Sequence, residues 1–167
     1  RTEKSGNIGV LLGEVLSTGY SEISNIIVRN SVITDNNESY KRKQFRVGGI
    51  IGNLEDNHIT RLFNLSAQVE IKMLSKATLN DKCYMAEGIG HYGAPKTSSS
   101  YAIPLTNIYV HGSIETTINS NNCYIGGVIG NNANNNNITS TSSTWYYTEA
   151  VNVATSNVVN YGMVLPA

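Results

Sequence analysis

The sequence contains little charge and no long apolar run. Only 14% of the 167 residues are charged, and 12 Lys and Arg balance 12 Asp and Glu. A nucleic-acid-binding surface needs a basic stripe, which this balance does not favour. A membrane-spanning helix needs about 20 consecutive apolar residues, and the sequence has no such run. The chain begins at Arg1 without an apolar leader, so we expect a mature chain or a piece of a longer one.

Sequence motifs for catalysis, cofactor binding and metal binding are also missing. There is no nucleophile elbow, phosphate loop or dinucleotide fingerprint. The histidines, His58, His91 and His111, have no metal-ligand spacing with each other or with the cysteines. Glu55 and Asp56 lie near His58, but a solvated turn explains this group better than catalytic carboxylates. We therefore expect no cofactor and no enzymatic activity, and a β-helical polysaccharide-degrading enzyme is the least favoured alternative.

A six-residue cassette rich in glycine and aliphatic residues occurs four times. Its closing glycines, Gly13, Gly52, Gly90 and Gly130, are separated by 39, 38 and 40 residues. A fixed period indicates a repeat protein, in which each unit buries its apolar face by stacking on a neighbour. The glycines that we expect to matter are Gly13, Gly48, Gly49, Gly52, Gly90, Gly126, Gly127 and Gly130.

Short extended segments follow each cassette, and no segment shows an apolar stripe at helical period. Asn25–Val28, Leu62–Leu65, Asn107–Val110 and Val151–Val153 are apolar or β-branched and are bounded by turn residues, which is typical of strands. We predict one all-β domain over residues 1–167, a right-handed parallel β-helix or β-solenoid of about four coils with a repeat of about 39 residues. The predicted repeats are 6–44, 45–82, 83–121 and 122–167. An immunoglobulin-like β-sandwich is the alternative, and the constant period argues against it.

The two cysteines occupy the same position of two repeats. Cys83 and Cys123 each lie two residues before their cassette, so stacking places one above the other, and Tyr84 above Tyr124. Neighbouring strands lie about 4.8 Å apart, within the range of Cα separations that a disulfide requires. The sequence is equally compatible with a Cys83–Cys123 disulfide and with two free, buried thiols.

The polar composition favours an extracellular protein. Asn, Ser and Thr supply 22, 17 and 14 residues, so the surface is polar without being ionic. Three N-glycosylation sequons begin at Asn37, Asn64 and Asn137. Asn37 and Asn137 fall in predicted loops, whereas Asn64 falls in a strand and is the weakest of the three.

The cassette is apolar on both faces if it is a single strand. Such strands are usually covered on both sides, either by loops of the same chain or by a neighbouring subunit that the glycines admit closely. Glu87 is the misfit, because it shares a row with Val10, Gly49 and Gly127 and would be costly if buried unpaired.

The cassettes Gly48–Gly52 and Gly126–Gly130, with the pattern Gly-Gly-aliphatic-aliphatic-Gly, resemble the GLUG-type repeats. The first cassette lacks one glycine of the pair, and the third keeps little beyond Ile89-Gly90. The family occurs in large secreted or surface-attached proteins, including adhesin-like and bacterial IgA-protease-type chains. The resemblance implies a β-solenoid and an extracellular or cell-surface location, and it brings no catalytic residues.

Four coils would give a stack about 19 Å tall, so the two end coils make up half of the protein. We found no capping helix in the sequence, and Val158–Leu165 is predicted as a further strand. We therefore predict a structural subunit that joins copies of itself head to tail into a filament, fibril or surface layer. The alternative is a carbohydrate-binding adhesin in which Trp145, Tyr146 and Tyr147 bind glycans, although we favour a half-buried strand for this triplet.

Overall fold

The structure is a computed structural model that describes residues 4–17, 21–35, 41–56, 60–74, 78–79, 82–93, 105–117, 123–132, 145–147, 151–153 and 163–164. These residues form strands and their short connections, with no helix among them. The strands are β1 (Lys4–Gly9), β2 (Leu12–Ser17), β3 (Ser21–Asp35), β4 (Lys41–Gly48), β5 (Ile51–Asp56), β6 (Thr60–Met73), β7 (Thr78–Leu79), β8 (Cys83–Ala86), β9 (Ile89–Tyr92), β10 (Leu105–Thr116), β11 (Cys123–Gly126), β12 (Ile129–Asn132), β13 (Trp145–Tyr147), β14 (Val151–Val153) and β15 (Met163–Val164). The all-β class is therefore confirmed.

The strands form three parallel sheets. The first sheet has the order β1-β4-β8-β11, with β7 beside β4, and the second has the order β2-β5-β9-β12. The third sheet has the order β3-β6-β10-β13-β15, with β14 also paired to β10. The chain thus enters the three sheets in turn, an arrangement compatible with a β-solenoid. All strand pairs between described residues are parallel, unlike the antiparallel pairs of an immunoglobulin-like sandwich.

The register between strands agrees with the alignment of the cassettes. Ile8 pairs with Val47, Val47 with Met85, and Met85 with Ile125 in the first sheet. In the second sheet, the residues that follow each cassette corner pair in the same way, as Ile51 does with Ile89. The aliphatic positions of the cassettes therefore form continuous rows across the sheets.

Each cassette contains a corner, which corrects our interpretation of it as one strand. In the second cassette, the strand of the first sheet ends at Gly48. The bend consists of Gly49 and Ile50, and the strand of the second sheet begins at Ile51. The backbone N–H groups of this bend donate hydrogen bonds to the corresponding segment of the third cassette. Gly49 donates to the carbonyl oxygen of Ala86 at 3.0 Å, and Ile50 donates to that of Gly88 at 2.9 Å. The apolar character on both faces thus reflects two strands that meet, rather than one strand covered twice.

Glycine is required where the first two sheets approach each other. A Cβ atom added to Gly48 would collide with the carbonyl oxygen of Ile51. A Cβ added to Gly52 would lie 2.5 Å from the carbonyl oxygen of Ile8 and 2.6 Å from that of Gly13. Because real side chains do not approach backbone atoms this closely, the cassette glycines allow backbone to pack on backbone. The cover is supplied by strands of the same chain.

The third sheet completes the core, which includes Leu62, Leu65, Val69, Ile71 and their row partners. Along β6 the buried residues alternate with exposed ones from Leu65 to Met73, the pattern of a strand with one face in the core and one face outside. The alternation is interrupted once, because Leu62 and Leu65 are both buried although three positions apart.

Asparagines in the left-handed backbone region cause this interruption. Asn25, Asn64 and Asn107 have φ values of 56°, 54° and 52° and occupy one row of the third sheet. Asn tolerates this region better than most residues because its short polar side chain bonds locally. A fourth, Asn30 with φ 48°, lies in a β-bulge where the register between β3 and β6 shifts.

Candidate assembly interface

The strands β1, β2 and β3 lie at the outer position of the three sheet orders, next to β4, β5 and β6. Among the described strands, each of the three is paired on one side only. Their other sides present N–H and C=O groups that no described strand pairs. Because the three strands follow one another in the chain and pair in the same direction, their open edges lie at one end of the molecule, which we call the β1–β3 end.

Core positions at the β1–β3 end are incompletely buried. Ile8, Leu12, Val15, Ile23 and Ile26 pack against the core but are only partly buried. Their register partners in the next strands are Val47, Ile51, Leu54, Leu62 and Leu65. These partners are 0 or 1% exposed. The same rows are therefore fully buried one strand further in and only partly buried at the β1–β3 end.

Most of the large apolar side chains that the structure exposes lie on β2 and β3 or in the bend between β1 and β2. In the bend, Val10 is 40% and Leu11 38% exposed, and on the strands Leu16 is 65%, Ile27 61% and Val32 56% exposed. Leu11 is informative because it occupies the corner position at which Ile50 is fully buried. The exposed corner thus adds to the incompletely buried rows of the β1–β3 end, and exposed apolar residues that cluster in this way mark interaction sites.

Polar side chains at the β1–β3 end accept hydrogen bonds from the next strand. The Asn53 amide donates to Glu14 Oε1 at 2.8 Å, and Arg46 donates to Asn7 Oδ1 at 3.3 Å. Asn64 donates to Asn25 Oδ1 at 3.0 Å. The Asn25 amide nitrogen lies 3.5 Å from Ser24 Oγ, which is a long contact for a hydrogen bond.

The asparagine row forms a ladder with one direction. Asn107 donates through Nδ2 to Asn64 Oδ1 at 3.0 Å, and Asn64 donates through Nδ2 to Asn25 Oδ1 at the same distance. Each amide therefore donates towards the β1–β3 end. The ladder was not predicted from the sequence, although each asparagine directly precedes an aliphatic residue, Ile26, Leu65 or Ile108.

Comparison with known proteins adds no family to this geometry. No family model, curated protein or solved structure matches the chain. The function must therefore be argued from the residues themselves.

The cysteine and tyrosine register is as predicted. Cys83 pairs with Cys123 and Tyr84 with Tyr124 on the parallel strands β8 and β11. The Tyr84 and Tyr124 rings lie 5.6 Å apart, and Tyr84 also stacks on His91 at 4.9 Å. Cys83 is buried. The disulfide itself stays a prediction, because the side chain of Cys123 lies outside the described part of the structure.

One of the three sequons lies in the described part of the chain. Asn64 is in β6, and both its amide nitrogen and its carbonyl oxygen are used in the ladder. A glycan is attached through that nitrogen in place of one of its two hydrogens, so a glycan at Asn64 would compete with the ladder. Asn37 and Asn137 lie outside the described residues.

The aromatic triplet forms a strand of the third sheet. In β13, Trp145 pairs with Ile108 and Tyr146 with Tyr109. Ile108 is buried and Tyr109 is 38% exposed. The triplet therefore continues the third sheet beyond β10. Of the predicted tail strand, Met163–Val164 forms β15 and the rest lies outside the described residues.

Glu87, the misfit of the cassettes, is buried. It is 1% exposed, and neither carboxylate oxygen has a hydrogen-bond partner among the described residues. Burial raises the pKa of Glu87 from 4.5 to about 8, because the low-dielectric surroundings disfavour the charged form. Its backbone is nevertheless part of the bend, since its N–H donates to the carbonyl oxygen of Gly127 at 2.9 Å. The side chain is therefore held as a neutral acid at pH 7.

In the described ranges, no group of three or more His, Cys, Asp or Glu side chains could hold a metal ion. Within the same ranges, no helix has the length and apolar character needed to cross a membrane. His91 does form a polar contact, since Asn131 Nδ2 lies 2.8 Å from its Nδ1. This contact links the neighbouring strands β9 and β12.

Proposed function

We propose that this chain is an extracellular structural protein, a β-solenoid subunit that joins copies of itself head to tail into a filament, fibril or surface layer. The main observation behind the proposal concerns the β1–β3 end. Core positions there are only partly buried, although their register partners one strand further in are fully buried. The subunit is a solenoid of about four coils with a repeat of about 39 residues, in keeping with the GLUG-type resemblance.

A second copy of this chain is the occupant that the open end fits best. The three open edges are strands of 6, 6 and 15 residues, set in three different sheets. A partner must offer three strands in the same arrangement to pair with all of them, and the chain itself repeats that arrangement. Continued parallel pairing requires that the partner add in the same orientation, which is a heterologous contact that propagates.

The extracellular location and the non-enzymatic role that we propose are supported by separate observations. An extracellular location is supported by the low charge, the wealth of Asn, Ser and Thr, and the sequons at Asn37 and Asn137. A non-enzymatic role is supported by the position of the apolar surface at an end of the stack, where it suits protein contact rather than a reacting small molecule.

Sedimentation velocity over a concentration series, followed by negative-stain electron microscopy, tests the proposal. We expect the wild-type chain to grow in mass with concentration and to form filaments with an axial rise of roughly 19 Å per subunit. Leu16→Lys places a charge on the open end and should hold the chain as a monomer, because charged edges oppose strand addition. Tyr109→Lys is the matched control, since Tyr109 is also exposed but lies on β10, inside the third sheet.

The proposal fails if the wild-type chain stays monomeric at every concentration. It also fails if Leu16→Lys and Tyr109→Lys reduce assembly equally, since the contact would then not be at the β1–β3 end. Circular dichroism of both variants verifies that each is folded.

A further inference from the structure

The outward face of the third sheet carries two depressions between the edge strand β3 and the strands β6 and β10. One depression of about 300 Å³ is lined by residues that include Asn30, Glu70 and His111. A second, of about 340 Å³, includes Arg29 and Tyr109. Gln68 and His111 line both depressions, so the two lie side by side, and we call them together the groove. The groove extends from the row of Tyr109 to that of Ser113, about 13 Å along the strands.

The β-bulge in β3 shapes one wall of this groove. Val28 pairs with Ala67 and Ser31 with Val69, so Arg29 and Asn30 together stand opposite the single residue Gln68. A bulge bends its strand and re-aims the side chains beside it. Bulges are frequent next to binding sites for this reason.

The lining of the groove combines the Tyr109 ring and the apolar side chains of Ile27 and Val32 with hydrogen-bonding groups. Tyr109 is 38% exposed and is aligned by register with Ser66 and Ile27. Gln68 and His111 pair with each other in the adjacent outward row. An aromatic ring offers an apolar face for the C–H side of a sugar ring. An amide and an imidazole supply donors and acceptors for its hydroxyl groups.

Charge in the groove is balanced. Arg29 and Glu70 are the charged residues among its described lining, one of each sign. The Glu70 carboxylate also lies 2.7 Å from Lys72 Nζ. The groove therefore has no excess of positive charge with which to select a polyanion such as a uronic-acid polymer.

We propose that this groove binds neutral oligosaccharides, with the Tyr109 ring stacked on a sugar and with Gln68 and His111 bonded to its hydroxyl groups. The groove lies on the outer face of the third sheet, and its β3 wall, which includes Ile27 and Val32, belongs to the edge strand of the β1–β3 end. Tyr146, which pairs with Tyr109, extends the same row on β13. The site differs from the one expected from the sequence, where the whole triplet 145–147 was the candidate.

Isothermal titration of the full chain with hexasaccharides tests this proposal. The neutral probes are cellohexaose, chitohexaose, laminarihexaose and mannohexaose, and the anionic probe is hexagalacturonate. We expect binding of at least one neutral probe and an affinity about tenfold lower for Tyr109→Ala, because the stacking contact and its buried area are lost. Gln68→Ala should also weaken binding. Thr34→Ala is the control, since Thr34 is exposed on β3 but does not line the groove.

Three results would overturn the proposal. The first is no binding of any neutral probe at millimolar concentration. The second is binding that Tyr109→Ala and Thr34→Ala leave equally unchanged, which would place the site elsewhere. The third is binding of hexagalacturonate alone. None of these results bears on assembly, which is measured separately by sedimentation.

Discussion

Replacing Glu87 by glutamine should abolish a pH dependence of stability that the wild-type chain shows between about pH 4.5 and pH 8. The Glu87 side chain is buried without a hydrogen-bond partner among the described residues, and burial raises its pKa from 4.5 to about 8. Within this range the folded chain keeps the proton and the unfolded chain releases it. The unfolded state therefore binds fewer protons, so the free energy of unfolding falls as pH rises.

The size of the effect follows from the pKa values. One pKa unit corresponds to about 1.4 kcal/mol, so a rise of about 3.5 units amounts to roughly 5 kcal/mol. The full stability is present below about pH 4.5, and the loss is complete once the pH exceeds the folded pKa of about 8. Since small proteins are stable by only about 5–15 kcal/mol, this single carboxyl can remove a third or more of the total.

Urea unfolding followed by circular dichroism measures this loss directly. We expect the free energy of unfolding of the wild-type chain to decrease from pH 5 to about pH 8 and then to level off, whereas that of Glu87→Gln stays nearly level throughout. Glu115→Gln removes an exposed carboxyl from β10 and should follow the wild type. Parallel curves for the wild type and Glu87→Gln would refute the burial argument, because the slope would then come from other groups.

Three further changes test the glycine and asparagine rows. Gly52→Ala should lower the free energy of unfolding by about 3 kcal/mol or more in a thermal or urea melt, because its Cβ would collide with backbone oxygens of neighbouring strands. Gly6→Ala is the control and should be tolerated, because no atom lies within 4 Å of the added Cβ. Equal losses of stability in the two variants would contradict the close approach of the sheets. Asn64→Gly should lower the free energy of unfolding by about 2 kcal/mol, because two ladder hydrogen bonds are lost. Asn64→Ala should lower it by about 1 kcal/mol more, because alanine is strained at the positive φ of this position. Equal stabilities of the two variants would contradict the strain argument. Peptide mapping of chain secreted from a glycosylating host should find Asn64 less modified than Asn37 and Asn137, and equal modification of all three would contradict the competition between a glycan and the ladder.

The sequence predicted the strands and their neighbours because repetition is visible without a structure. Cassettes at a constant spacing place Val47 beside Met85 and Cys83 beside Cys123, whatever the exact shape of the stack. The corner inside the cassette was missed because its two residues are apolar or glycine in three of the four cassettes, as in Gly49-Ile50, and only the third has a charged residue there, Glu87. A bend between two buried strands therefore has the same hydrophobic pattern as one buried strand.

The site was only partly predictable for similar reasons. The open end was expected from the short stack, and Glu87 was identified as a misfit, but burial depends on which segments pack around a residue. The ladder was missed because the chain has 22 asparagines, and the left-handed backbone that distinguishes Asn25, Asn64 and Asn107 is a property of three dimensions. The groove depends on a bulge at Asn30, which one extra residue in β3 produces without an obvious sequence signal.

The connections between the second and third sheets differ in length without disturbing either register. Leu62 follows Ile51 by 11 residues and Leu105 follows Ile89 by 16, yet Ile51 pairs with Ile89 and Leu62 with Leu105. Five additional residues have thus been accommodated at no cost to the ladders. This position is a natural insertion point, at which a foreign epitope or enzyme could be displayed at every subunit of a polymer while the scaffold beneath it stays unchanged.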